Sequence, residues 1–325
     1  MCSKILSKAK LILIPLCVTV CTFLGSVQAQ TLEKLSLKLQ WLHQFQFAGY
    51  YVAKEKGFYR DAGLNVEIVP YEEGSQNVVD LVRTGVVNFG TGRSSLVVDR
   101  LNGKPVVVLA AIFQESPSVL LVRKGNGIER LTNLIGRKVM VSPDALLAAD
   151  YFGMFAKEGI SPHDIVSQKH SYNLDDLIDG TTDAMACYIS NEPYVLQERG
   201  VPFLAFRPKD YVEGFYGDML FTSIRETMNH PERVSRFKAA SLKGWDYAFE
   251  NIEETAEIIF NKYNKQNKTL ASLIFEGHEL RKLALPPDTP LGHISLQKLN
   301  TLANLYYSQG LISDTKGLTG IVFSD

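Results

Sequence analysis

The sequence is poor in cysteine, and most of what it has is crowded at one end. Cys2, Cys17 and Cys21 fall in the first 21 of 325 residues, and Cys187 alone follows. A chain that loses its first segment can form no internal disulfide and no cysteine-based metal cluster. No second histidine stands at metal-ligand spacing from His43, so no metal site is expected. After residue 24 no stretch is apolar for long enough to span a bilayer as a helix. No block of basic residues occurs and the formal charge is −1, which argues against nucleic acid as a partner. Internal repeats, low-complexity tracts and a flexible interdomain linker are missing as well.

What is present begins with a pattern of export. Met1 to Lys10 is basic with no acid, Leu11 to Leu24 is apolar, and Ser26-Val27-Gln28-Ala29 supplies compact residues. The order is that of a secretory signal peptide, with cleavage expected after Ala29. Pro15 and the short apolar core speak against a membrane anchor. Neither Cys17 nor Cys21 follows a small residue, which speaks against a lipoprotein. Loss of Lys4, Lys8 and Lys10 takes the formal charge from −1 to −4. The expected product is a mildly acidic, exported, soluble chain, long enough for one large domain or two ordinary ones.

Beyond the signal, strand and helix patterns alternate. Leu35, Leu37, Leu39 and Trp41 alternate with Ser36, Lys38 and Gln40, a period of two. Ala48, Tyr51 and Val52 then fall at helical spacing, and Gly57 stands where a helix C-terminus favours a left-handed residue. Asn65–Val69, Val87–Gly90, Val106–Ile112 and Ser118–Val122 read as strands, with helices around Val78–Val82 and from Gly92–Ser95 to Gly103. Arg137–Val141, Val166–His170, Asp183–Ile189 and Phe203–Phe206 continue the strands. Helices are expected near Tyr151–Lys157, Leu174–Ile178 and Glu192–Arg199. Such alternation predicts parallel α/β sheets. After Ser223 the pattern turns helical, with Pro231 at a first helical position and Asn251-Ile252-Glu253-Glu254 resembling a cap.

The loop after the first strand carries Trp41, His43 and Gln44. Ligands of open α/β sheets bind beyond the carboxyl ends of strands, so this aromatic, amide-rich loop reads as a small-molecule site. Trp41 suits stacking on a planar heteroaromatic ring, or core packing at a strand end. His43 suits a hydrogen bond in a cleft, or a structural role. Gly92, Ser94 and Ser95 place hydroxyls and free N–H groups at a helix start, suited to an acceptor or to plain N-capping. The lysine of a phosphate loop is missing from that run.

Trp41-x-His43-Gln44-x-Gln46-Phe47-Ala48-Gly49-Tyr50-Tyr51-Val52-Ala53-Lys54-Glu55-Lys56-Gly57-Phe58-Tyr59, followed by Gly63-Leu64-Asn65-Val66-Glu67-Ile68, resembles the thiamine-pyrimidine-precursor family. That family holds bacterial periplasmic proteins that bind formylaminopyrimidine or hydroxymethylpyrimidine, sensor ectodomains and fungal pyrimidine synthases. Val87–Gly90, Ser116–Lys124, Leu134–Val139, Asn191-Glu192-Pro193 and His230–Val234 follow in the family's order. The resemblance implies an α/β, two-lobe type II periplasmic-binding fold, a Venus flytrap with parallel-rich sheets flanked by helices. Residues 1–29 would be the signal, 30–122 plus 223–325 one lobe and 123–222 the other. The ligand would lie between the lobes, with closure around it. Ser116 would sit at the hinge, Tyr188 and Glu192 at the second lobe's edge, and Tyr216 and Asp218 along the second crossing. Glu192 would hold an aminopyrimidine's amine and ring nitrogen; otherwise it is a helix-start acid.

The fungal synthases carry a cofactor-binding lysine two residues after the glycine matching Gly90 and a substrate histidine four residues further on. Gly92 and Leu96 occupy those positions here, and no cysteine occurs near Val212–Leu220, where their iron motif falls. A Schiff base needs a lysine amine. The expectation is therefore a monomeric periplasmic binding protein, not an enzyme, without cofactor or metal. It would deliver a small planar heteroaromatic to an ABC-type membrane permease. The alternatives are a periplasmic ligand sensor that serves a signalling partner and a synthase-like enzyme.

Overall fold

In the computed structural model residues 31–72, 74–142 and 148–324 are described. The predicted signal segment lies outside them, as does Glu73 of Glu73–Asn77, which reads from sequence as a turn that starts the helix at Val78. The first part of the chain runs β1 (Glu33–Lys38), α1 (Ala48–Glu55), α2 (Phe58–Asp61), β2 (Leu64–Val69), α3 (Val78–Thr84), β3 (Phe89–Gly92), α4 (Leu96–Leu101) and β4 (Val106–Ala111). The middle runs β5 (Ser118–Arg123), β6 (Lys138–Val141), α5 (Ala149–Lys157), β7 (Val166–Lys169), α6 (Asp175–Ile178), β8 (Ala184–Tyr188), α7 (Glu192–Glu198) and β9 (Phe203–Phe206). The last part is β10 (Met219–Ser223), α8 (Ile224–Asn229), α9 (Pro231–Glu250), α10 (Ile252–Lys262), α11 (Leu270–Ala284) and α12 (Leu296–Ser308).

Local signals set many of these limits. Leu35 and Leu37 point into the core from β1, and Leu39 continues their face. Gly57 adopts φ +80° between α1 and α2, a conformation that costs glycine little. The Asn77 side chain accepts from the Val79 N–H at 2.8 Å and starts α3. The cap expected at Asn251 differs. Its amide donates to the Tyr247 carbonyl of the preceding helix and so does not cap α10.

The strands form two five-stranded sheets, ordered β2-β1-β3-β10-β4 and β7-β6-β8-β5-β9. β1 runs parallel to β2 and β3, and β6 runs parallel to β7 and β8. β10 is antiparallel to both neighbours, and so is β5. Both are strands that enter one sheet directly from the other. A strand reached without a helical crossover is not held to the parallel direction. The sheets are therefore mixed, where alternation alone predicts parallel ones. Pairing keeps all of β5 in the second sheet and all of β10 in the first, so limits at 122/123 and 222/223 cut through strands. The crossings are 112–117 and 207–218.

Both sheets are covered on two faces, as parallel-rich sheets require. In the second, Leu120 and Val122 meet Tyr151, Met154 and Phe155, while Val119 and Leu121 meet Leu177 and Leu196. On the first, α9 crosses α1 at very short range. A Cβ on Gly49 would lie 2.1 Å from the Trp245 ring, and one on Gly244 2.1 Å from the Gly49 carbonyl oxygen. The backbones approach this closely only because neither residue has a side chain. That approach seats Trp245 against Tyr50 and Phe113.

Candidate ligand-binding cleft

The carboxyl end of β3 faces the carboxyl end of β8 and the start of α5. Arg93 projects from the β3–α4 loop, and its guanidinium stands 5.2 Å from the Tyr188 ring of the second sheet. Arg93, Ser94, Ser95, Ser116, Tyr188 and Tyr216 line a shared cavity with Asp150, Phe215 and Tyr306. Its volume is about 20 Å³, which holds little more than one water. A planar ring enters such a cleft only when the two sides separate. A wider hollow of about 580 Å³ lies against the crossings, lined by Glu115, Lys209, Glu213 and Lys298, and shares Ser116 with the first.

Asp150 lines the cavity, and two further buried carboxyls, Asp218 and Glu276, are joined through Gln46. Asp218, at the entry to β10, accepts both short bonds from Gln46 Nε2, at 3.0 and 2.8 Å. Burial pushes its pKa up to about 6, against the pull of Arg93 and of the hydrogen bonds from Gln46. Asp150, in the first turn of α5, accepts from Ser116 Oγ at 3.1 Å and from the Tyr151 N–H at 2.9 Å. Burial raises its carboxyl too. Glu276 is fully buried and accepts from the Gln46 N–H at 3.0 Å. Desolvation raises it, and Lys268 opposes the shift.

The same Lys268 donates to Asn191 Oδ1 at 2.6 Å, joining the α10–α11 loop to the start of α7. Beside it, Glu192 Oε2 accepts from the Tyr188 N–H at 3.0 Å, and burial raises its carboxyl. Trp41 stacks on Tyr71 with centroids 5.6 Å apart and meets Tyr172, from the loop after β7, at 5.3 Å. Tyr172 has φ +59°, an uncommon conformation for a bulky residue.

Residues 44–255 match the family described as NMT1/THI5 like. The chain belongs to the NMT1/THI5-like family. Among its relatives is the riboflavin-binding protein RibY of Chloroflexus aurantiacus, 24% identical over 89% of this chain and 76% of that one. The formylaminopyrimidine-binding protein of Halalkalibacterium halodurans is 23% identical over 78% of this chain and 80% of its own. A protein of Legionella pneumophila named 4-amino-5-hydroxymethyl-2-methylpyrimidine phosphate synthase is 25% identical over 70% and 73%. Among solved structures, the periplasmic aliphatic sulphonate binding protein SsuA of Escherichia coli superposes with a TM-score of 0.71 at 13% identity. That match covers 90% of this chain and 92% of SsuA. The fold is the two-lobe periplasmic-binding fold.

In this NMT1/THI5-like chain the residues singled out from sequence fall into three places. Ser94, Ser95, Ser116, Tyr188 and Tyr216 share the cavity, and Asp218 borders it beside Arg93. Ser94 is committed to the backbone of Tyr216, donating to its carbonyl and accepting from its N–H. Trp41 and Glu192 stand at junctions between the two sheets' sides. His43, Gln44 and Gly92 lie outside the cavity lining. His43 Nδ1 bonds the Tyr51 hydroxyl at 2.8 Å among the rings of Tyr51 and Tyr263. Desolvation lowers its pKa to about 4. Gln44 donates to Gln46 Oε1 at 2.6 Å and so orients the group that holds Asp218. Gly92 closes β3 against Leu96, the buried leucine at the position where the fungal synthases carry their histidine.

Arg93, Asp150, Lys268 and Glu276 were not singled out from sequence. Arg93 stands inside a run read for its hydroxyls. Its signal was a charge directly after a strand flanked by small residues. Asp150 sits in a helix whose pattern reads only as amphipathic. Among the described residues no group of three or more His, Cys, Asp and Glu side chains is placed to hold a metal ion.

Proposed function

We propose that the chain is the periplasmic substrate-binding protein of an ABC-type uptake system. It closes on a small planar heteroaromatic, with a pyrimidine precursor of thiamine as the leading candidate. The observation that carries this reading is the convergence of Arg93 and Tyr216 from one side with Tyr188 and Asp150 from the other on a single polar cavity. The Trp41 ring, at a separate junction and covered by Tyr71 and Tyr172, would present a stacking face once the two sides part. Two relatives bear binding-protein names, for riboflavin and formylaminopyrimidine, and both ligands are planar nitrogen heterocycles.

The mechanism has three steps. An open form admits the ring against Trp41. The two sides close, and Lys268 reaches Asn191. The closed form then docks on a membrane permease as a monomer. Glu192 and Asp218 supply acceptors for ring amines, and Arg93 supplies donors. A synthase-like reaction lacks its lysine at Gly92. Isothermal titration with hydroxymethylpyrimidine, formylaminopyrimidine and riboflavin tests the reading. Saturable one-to-one binding of at least one supports it, and heat of dilution alone from all three defeats it.

A further inference from the structure

Arg93 is a charged group in an unusual position. Its Nε is enclosed and has no hydrogen-bond partner among the described residues. The aromatic ring of Tyr188 is its neighbour across the cleft, and a ring accepts no directed N–H bond of full strength. A guanidinium cannot shed its proton to escape burial. Leaving it without an acceptor is costly, so the closed cleft is incomplete as a protein-only arrangement.

Asp150 lines the same cavity as Arg93 from the second sheet's side, and Asp218 follows the lining residue Gly217 on the first's; with Tyr188, both stabilise the Arg93 charge. Both already serve other donors. Gln46 engages both oxygens of Asp218, while Ser116 and the Tyr151 N–H engage Asp150. Glu276 adds a further buried acid near Asp218. The site thus offers unused donors in a surround that already holds more acids than bases. An anion arriving at Arg93 meets Asp150 and Asp218 at close range in a poorly screened space. A neutral acceptor meets no such repulsion, and an adjacent N–H on the same ring finds a carboxylate.

We propose that Arg93 is a specificity-determining residue that donates to a neutral acceptor of the bound heterocycle, a carbonyl oxygen or ring nitrogen. Asp150 and Asp218 make the cleft reject the phosphorylated form of the same ring. This rests on the reading of the cleft as the ligand site.

The test is titration calorimetry on the exported protein with two matched pairs: hydroxymethylpyrimidine and its phosphate, riboflavin and its 5′-phosphate. Wild type binds the neutral member of a pair at least about tenfold more tightly than its phosphate. Arg93→Gln weakens the neutral ligand by about tenfold or more, the scale of a lost charge-assisted hydrogen bond. Arg93→Lys, which keeps the charge and loses the fork, recovers part of that loss. Asp218→Asn narrows the gap between neutral ligand and phosphate without weakening the phosphate. Melting temperatures taken alongside separate misfolding from lost recognition. Equal or tighter binding of the phosphate by wild type overturns the inference, and so does unchanged affinity in a folded Arg93→Gln. Those outcomes leave the binding-protein reading standing. Failure of wild type to bind hydroxymethylpyrimidine, riboflavin and formylaminopyrimidine alike overturns both.

Discussion

Asp218 gives the sharpest prediction because its burial fixes the sign of the effect. Its carboxyl is raised from 3.8 to about 6 in the folded protein. Between those values the folded state holds a proton that the unfolded state has released. Stability from this group is therefore greatest in acid and falls as pH rises through about 6. A shift near two units corresponds to roughly 2–3 kcal/mol between pH 7.5 and pH 4. His43 works in the opposite sense. Its pKa drops from 6.5 to about 4, so its contribution is lost as pH falls through that window. The wild-type profile blends these two with the raised carboxyls of Asp150, Glu192 and Glu276, and only a difference isolates Asp218. Asp218→Asn keeps an acceptor for Gln46 and removes the titration. From pH 7.5 down to pH 4, wild type should gain on the variant by about 4–6 °C in melting temperature, using about 2 °C per kcal/mol for a chain of this size. Scanning fluorimetry of both proteins without ligand measures it. Parallel curves across the range would mean that Asp218 is solvated and that the enclosed charge cluster around Arg93 is misdescribed.

Other perturbations follow from the same geometry. Gly49→Ala should cost roughly 1–3 kcal/mol or more, since its Cβ meets the packed Trp245 ring at 2.1 Å; urea titration with unchanged stability would refute the close α1–α9 approach. Trp41→Ala should weaken ligand binding by roughly 1–3 kcal/mol, the range for aromatic platforms under heterocycles, with a smaller effect on melting. Glu192→Gln retains an acceptor for the Tyr188 N–H yet removes the charge. If an amine and a protonated ring nitrogen bind there, affinity for an aminopyrimidine falls by roughly 2–3 kcal/mol. Lys268→Met removes the bond to Asn191 and should speed ligand release in stopped-flow measurements; an unchanged off-rate would show that closure does not depend on it.

The sequence was most legible where a residue's role is decided by its neighbours in the chain. The β1 alternation and the Gly57 turn are of this kind, and β9 matches its predicted limits. Strand direction was not legible, because β5 and β10 take theirs from the sheet each enters after a crossing. β10 itself is five residues after a loop, too short for periodicity to separate from its surroundings. The same division runs through the site. Trp41 and Glu192 advertise themselves by chemistry in a motif. Arg93 gains meaning only from Asp218 and Asp150, which folding brings to it from two other elements. His43 looks alike in sequence whether it faces a ligand or the rings of Tyr51 and Tyr263, and only packing reveals the partner.

The central claim is that this NMT1/THI5-like chain captures a small heteroaromatic between its two sides. Native mass spectrometry of the protein exported and purified under gentle conditions tests it most directly. The account predicts an adduct with the mass of an unphosphorylated planar heterocycle, released on denaturation and regained by adding that compound to the refolded protein. A bare mass that stays bare after hydroxymethylpyrimidine, formylaminopyrimidine and riboflavin are each supplied in excess would contradict it.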